Sequence, residues 1–495
     1  MENIVYKSTR GHGEPVSASY AIVHGIAADG GLFVPQQLPV MDKELSELVD
    51  MNYRELAYEV MKLYLTDFSE DELKYCIERA YDDKFDTKAI APMVHPNGTN
   101  ILELFHGATL AFKDMALSVL PYLMTTAARK QDLEEEIVIL TATSGDTGKA
   151  ALEGFANVSG VRIIVFYPKD GVSTIQRLQM VTQQGDNTHV VAMKGNFDEA
   201  QRSVKEIFTN QDEAVRMKNA GYMFSSANSI NIGRLVPQVV YYYWAYLQMV
   251  RDRKIQLGDK VNFCVPTGNF GNILAAYYAK AMGLPVGKLV CASNSNNVLT
   301  DFFHTGRYDA NRQFYITTSP SMDILVSSNL ERLIYLVCKE DGAQVQELMD
   351  SLRQRGSYTL PMDKSVLEED FWAEFADEYA TDNAIRTIYQ KSGYVMDPHT
   401  AVAYSVAERY QNETGDDTPM VIVSTASPYK FPTSILQAVE AEVPEDESGL
   451  MQKLSEISGT PIPQRVKQVL NSPIRHHRVC EKEKALAEVR GILGL

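Results

Sequence analysis

Apolar and polar positions change their rhythm twice along the chain. After a loop-rich opening that includes Gly30-Gly31-Leu32-Phe33-Val34-Pro35, apolar residues recur at helical spacing over 44–65 and 70–81, which predicts an N-terminal lobe built mainly of helices. From residue 137 onward, short β-branched runs at 137–140, 161–167 and 189–193 alternate with helical stretches at 148–156 and 173–182. Alternation of this kind predicts parallel βαβ units. Further apolar runs at 261–265, 288–291 and 421–424 are followed by small or polar residues, and they read as buried strands of a second α/β region. The segment 441–495 is polar and mostly helical in pattern, which predicts a C-terminal extension.

Size and charge narrow what such a fold can do. A chain of 495 residues exceeds the length at which one hydrophobic core stops growing, so two or three lobes are expected. With 47 Lys and Arg against 64 Asp and Glu, the formal charge is -17 and no basic stripe offers itself to nucleic acid. Any site for a small anion must then be made from local donors. The five cysteines are widely spaced without a C-x-x-C pair, no apolar run reaches the ~20 residues of a bilayer span, and the first residues lack a leader pattern. A cytoplasmic enzyme without nucleic-acid, membrane or metal partners is expected. His476-His477, adjacent and without well-spaced acidic partners, reads as solvated surface.

Three peptides carry candidate chemistry, because open α/β sheets bind ligands beyond the carboxyl ends of their strands. Pro266-Thr267-Gly268-Asn269-Phe270-Gly271-Asn272 joins a strand to a helix. It is either a cup whose backbone N–H groups and helix dipole hold a phosphate or an ordinary turn. Thr141-Ala142-Thr143-Ser144-Gly145-Asp146-Thr147-Gly148-Lys149-Ala150 either holds an anion or merely caps the next helix. It is not a P-loop, since Ala150 stands where a Ser or Thr must meet magnesium. In Leu104-Phe105-His106-Gly107-Ala108-Thr109-Leu110-Ala111-Phe112-Lys113-Asp114-Met115 a lone lysine interrupts a largely apolar stretch. Lys113 is either a solvated surface group or a desolvated amine able to form a Schiff base with an aldehyde cofactor.

Taken together, the peptides 106–114, 144–148 and 266–271 resemble threonine synthases, within the tryptophan-synthase-β-like (fold type II) group of pyridoxal-phosphate enzymes. The resemblance extends to 6–11, 30–35, 228–231, 319–324, 397–401 and 424–431, nearly the whole chain. It implies an α/β fold type II architecture with two open, mostly parallel lobes. The N-terminal domain would cover 1–95 and the catalytic core 96–440, with a small lobe at about 130–225; the helical extension would be 441–495. It implies that Lys113 carries pyridoxal 5'-phosphate and moves protons at substrate carbons. Thr267, Gly268, Asn269, Phe270, Gly271 and Asn272 would bind the cofactor phosphate, Asp146 its phenolic oxygen and Thr425 its pyridine nitrogen. Ser144, Gly145 and Thr147 would face the substrate carboxylate; Asn228, Ser229, Asn231 and Arg234 would serve the substrate end. The implied reaction turns O-phospho-L-homoserine and water into L-threonine and phosphate, in a monomer or homodimer.

Three positions depart from the pattern expected of this group. Asp146 stands where many relatives outside the subgroup carry Asn, Ser427 stands where His is expected, and Asn272 where Asp is expected. The rival readings are a threonine or serine dehydratase, a cysteine synthase, or a non-catalytic binder of phosphorylated ligands. The long N-terminal lobe and the Phe112-Lys113-Asp114 context disfavour the enzymatic rivals, and retention of Lys113 disfavours the binder.

Overall fold

Two sheets of parallel strands organise the chain, whose computed structural model describes residues 3–143, 145–169, 172–195 and 197–495. The smaller sheet orders its strands Arg478–Glu481, Thr188–Lys194, Val161–Pro168, Glu136–Ala142 and Tyr222–Ser225, all parallel. The larger orders them Phe371–Phe375, Val286–Ser293, Val261–Pro266, Met420–Ser424, Asn100–Glu103 and Met93–Val94, and only the last pair is antiparallel. Central strands such as Val261–Pro266 are buried at every position, which is why their sequences are continuous apolar runs rather than alternating ones.

Helices Tyr53–Tyr64 and Glu70–Ala80 present their apolar stripes to the long helix Ile232–Arg251 and to helix Leu120–Lys130. The expected single helix over 44–65 is in fact two. Helix Leu45–Leu48 ends, and Asn52 starts Tyr53–Tyr64 by accepting the backbone N–H groups of Arg54 and Glu55 at 3.0 and 3.2 Å. Glu55 reaches back to the Asn52 N–H, and this reciprocal cap outweighs the continuous periodicity. Within the opening loop, Phe33–Pro35 pairs with Tyr6–Ser8.

The C-terminal segment, expected to be mostly helical, also contains a strand. Arg478–Glu481 is an edge strand in which only Cys480 is buried, so it leaves no apolar run to read. Helix Ala485–Leu493 then packs on the small-lobe core, whereas Met451, Leu454 and Val466 belong to the large-lobe core. The segment therefore crosses from one lobe to the other. His476 is half-buried in this crossing, with its Nε2 3.0 Å from the Gln183 carbonyl, and is not the solvated residue its sequence suggested.

Candidate active site

Strands Asn100–Glu103, Glu136–Ala142, Val261–Pro266 and Met420–Ser424 deliver, at their carboxyl ends, the Lys113 loop, Thr143 and the start of helix Asp146–Phe155, the 267–270 turn and Thr425. The Lys113 loop is zipped onto the peptide after Met420–Ser424. Phe112 N–H donates to the Thr425 carbonyl at 2.8 Å, and Ser427 N–H to the Leu110 carbonyl at 3.0 Å. Asp114 accepts both the N–H and the hydroxyl of Thr109, at 2.8 and 2.6 Å. Gly107 permits that turn, since a Cβ there would fall 2.4 Å from the Asp114 Cβ.

Lys113 Nζ lies 3.5 Å from Ser321 Oγ, 3.9 Å from Asp146 Oδ2 and 5.1 Å above the Phe112 ring. Burial lowers its pKa to about 8; Arg234 and Lys430 add to the lowering, while Asp146 and Asp114 oppose it. Roughly a tenth of such an amine is free base near pH 7, against far less for an ordinary lysine. The solvated reading of Lys113 is thereby removed.

On the small-lobe side, Gly145 adopts φ +140° and leaves room for Gln176, whose side chain a Cβ would approach to 2.5 Å. Gln176 donates to Asp146 Oδ1 at 3.0 Å, Lys430 Nζ lies 2.6 Å from the same oxygen, and Ser321 Oγ donates to Oδ2 at 3.2 Å. Burial alone would raise the Asp146 carboxyl, but Lys430 and Lys113 hold it well below the usual carboxylate range. It is an anion that accepts and does not donate, so it offers a phenolic oxygen no hydrogen of its own. Thr147 is half-buried beside it, and Ser144 lies outside the described residues.

Across the crevice, helix Gly271–Ala281 opens with no acidic residue in its first turn. The backbone N–H groups of 268–273 have no acceptor among the described residues, whereas Leu274 N–H already donates to the Phe270 carbonyl. A row of free donors at a positive helix end suits a phosphate dianion. One feature of the turn differs from expectation, and one of its side chains is partly committed elsewhere. Phe270, not a glycine, takes the left-handed conformation, at φ +66°. Asn272 accepts the hydroxyls of Tyr241 and Tyr242 on its amide oxygen, at 2.5 and 2.7 Å, while its buried Nδ2 has no partner among the described residues. Thr267 hydroxyl donates to the Val265 carbonyl at 2.7 Å, and Asn269 is fixed by Asn329, whose N–H donates to the Asn269 carbonyl at 3.0 Å.

The glycines of the turn are unequal. A Cβ on Gly268 would sit 2.9 Å from the Ser321 carbonyl oxygen and 3.2 Å from Met322 Cα, both backbone, whereas on Gly271 the nearest atom is 3.5 Å away. Gly268→Ala should therefore raise the cofactor dissociation constant about tenfold or more, the loss of one charge-assisted hydrogen bond, while Gly271→Ala changes it little. Equilibrium dialysis of pyridoxal phosphate against both variants checks this, and equal affinities would remove the turn from the phosphate site.

At the substrate end the candidates separate. Asn231 is fully buried and spends its amide on Ile22, Ser226 and Gly233, at 2.9, 2.9 and 2.8 Å, so it is a helix cap rather than a ligand contact. Asn228 and Ser229 are half-buried in front of that helix. Arg234 is buried, donates from Nη1 to the Ala227 carbonyl at 3.1 Å, and leaves Nε without a partner. Burial lowers its pKa to about 10.

Sequence reading assigned no role to Ser321, Lys430 or His399. Ser321 meets Lys113 and Asp146 through its hydroxyl, His399 Nε2 through its N–H at 3.1 Å and the Gly268 turn through its carbonyl. His399 Nδ1 in turn is 2.7 Å from Asp397 Oδ1. The peptides 319–324, 397–401 and 424–431 that carry them belong to the family resemblance, but nothing in their spacing joins them. A cleft of about 880 Å³ has Ala108 and Asp114 of the Lys113 loop in its lining, beside Tyr122, Arg129 and Glu153.

Three family models match the chain: "Threonine synthase N terminus" over residues 5–81, "Pyridoxal-phosphate dependent enzyme" over 102–426 and "Threonine synthase, C-terminal" over 400–488. Human threonine synthase-like 1 is 41% identical over 467 residues, covering 90% of this chain but only 62% of that protein, so the chain spans less than two thirds of that relative's length. Pseudomonas aeruginosa threonine synthase is 39% identical over 451 residues, with 89% of this chain and 91% of that protein covered. The crystal structure of pyridoxal-phosphate-bound threonine synthase from Brucella melitensis superposes with a TM-score of 0.87 at 34% identity, covering 99% and 98% of the two chains.

Proposed function

The chain belongs to the threonine synthase family of pyridoxal-phosphate-dependent enzymes, and from this we propose that it converts O-phospho-L-homoserine and water to L-threonine and phosphate, as a carbon–oxygen lyase acting on phosphates. One observation supports this above the others. The buried amine of Lys113 shares its crevice with two separate receivers for anions: the N–H row at 268–273, which has no acceptor among the described residues, and the Arg234 guanidinium, whose Nε has no partner there. A substrate that itself carries phosphate accounts for a second receiver when the cofactor phosphate takes the first.

Bound pyridoxal phosphate supplies an electron sink next to the substrate's amino group. The chain supplies the rest. The row at 268–273 anchors the cofactor phosphate, and Lys113 Nζ holds the cofactor and then moves protons at substrate carbons. Thr425, whose carbonyl receives the Phe112 N–H, offers its hydroxyl to the pyridine nitrogen and leaves that nitrogen uncharged. Gly145 and Thr147 face the substrate carboxylate, and Arg234 receives the substrate phosphate. We place the protein in the cytoplasm as a monomer or homodimer, with domains over 1–95, 96–440 and 441–495.

Phosphate release and threonine formation from O-phosphohomoserine test the reading, measured beside serine, threonine and O-acetylserine. Threonine and phosphate in equal amounts from O-phosphohomoserine are the expected result. Faster formation of an oxo-acid and ammonia from serine or threonine would replace it with a dehydratase, and turnover of O-acetylserine with a cysteine synthase.

A further inference from the structure

We propose that Lys430 is a positioning residue for this site: a second buried ammonium that divides the charge of Asp146 and so limits how much of it Lys113 feels. Lys430 ends the short turn Pro428–Lys430 in the large lobe, and its side chain has no exposed surface. Its Nζ is 2.6 Å from Asp146 Oδ1 and donates to the Thr109 carbonyl at 3.0 Å. Those two contacts belong to the two groups that place Lys113. Thr109 fixes Asp114, the residue after Lys113, and Asp146 is the carboxylate nearest its nitrogen.

The two oxygens of Asp146 are thereby shared out. Oδ1 serves Lys430 and Gln176; Oδ2 serves Ser321 and, at 3.9 Å, Lys113. A carboxylate close to an amine keeps the amine protonated, and a neighbouring cation opposes this. If Asp146 had Lys113 as its only cation, a buried pair would form that locks the proton on Lys113, the opposite of what an amine nucleophile needs. The charged groups that face Lys113 are Asp146, Asp114, Arg234 and Lys430, and His399 reaches it only through Ser321. Of the cations, Lys430 is the one in contact with Asp146, so it is the one that can set the balance.

The inference rests on Lys113 as the cofactor-bearing lysine, and its test separates the two. Holoenzyme and the variants Lys430→Met, Lys430→Arg and Asp146→Asn are titrated from acid to alkaline pH while the visible band of the bound cofactor is followed. Melting temperature is recorded in parallel. Lys430→Met should move the midpoint of the band upward by about one pH unit or more, because Asp146 then acts on the Lys113 nitrogen unopposed. Lys430→Arg should stay near wild type, and Asp146→Asn should move the midpoint downward. A midpoint unchanged in Lys430→Met, whatever its melting temperature, would reduce Lys430 to a strut and overturn the proposal. Should Lys430→Met not fold, an unchanged midpoint in Asp146→Asn overturns it equally. Absence of a visible band from the wild-type protein would instead sink the assignment of Lys113.

Discussion

Lys113→Ala should lower kcat for threonine formation by about 10⁴-fold or more, while pyridoxal phosphate should still bind through the turn at 268–273. General acid–base transfer alone accounts for about 10² to 10⁴, and the same nitrogen also holds the cofactor, so the two losses fall on one substitution. The other buried lysines do not stand in. Lys149 is bound to Gln183 and, at 2.9 Å, to Glu153; Lys430 is bound to Asp146 and to the Thr109 carbonyl. Lys113→Arg fails equally, because a guanidinium keeps its proton and is no nucleophile at neutral pH. Single-turnover measurements, with borohydride reduction and peptide mapping of the wild type, check both statements. A Lys113→Ala protein with a tenth of wild-type turnover would move the chemistry to another amine.

The 266–272 turn and Thr425 could be placed from the sequence because each follows a buried strand that announces itself as an apolar run, whereas Lys113 stands out only as the lone lysine of an apolar stretch, the short strand Asn100–Glu103 before it leaving no comparable run. Local signals were also present where the reading went astray. Asn231 directly precedes helix Ile232–Arg251, the position where an Asn side chain caps a helix, and capping is what it does. Asn272 follows the turn in sequence, yet its amide oxygen is claimed by tyrosines some thirty positions upstream on another helix, leaving only its nitrogen without a partner among the described residues. The contribution of Ser321 and Lys430 was not legible. Each stands in a short turn without periodicity, and each acquires meaning only when the two lobes bring it to Asp146, a partner 175 positions away for Ser321. Charge pairing across a crevice leaves no trace in spacing, whereas strands and caps do.

Two buried arginines differ in how far their donors are met, and the proposed selectivity for phosphate rests on that contrast. Arg332 is fully buried without a carboxylate partner among the described residues, but its donors are met by the Phe33 and Ile230 carbonyls and by Asn329. Arg234 is buried too, yet among the described residues its one acceptor is the Ala227 carbonyl and its Nε has none. Keeping a guanidinium out of water with so little compensation costs several kcal/mol, a cost offset once a dianion arrives. Arg234→Met should then lower kcat/KM for O-phosphohomoserine by about 30- to 5,000-fold, the loss of about 2 to 5 kcal/mol for one side of a buried charged pair. Its melting temperature should hold or rise, whereas Arg332→Met should melt earlier. Homoserine, lacking the group that Arg234 is placed to receive, should be rejected by about 10⁴ to 10⁵, the discrimination expected of a site built around a polar contact rather than an apolar pocket. Steady-state kinetics on the two substrates with wild type and both variants measure this directly. An Arg234→Met enzyme with undiminished kcat/KM would mean that the substrate phosphate is held elsewhere, since no buried charge in contact with a dianion can be removed without loss.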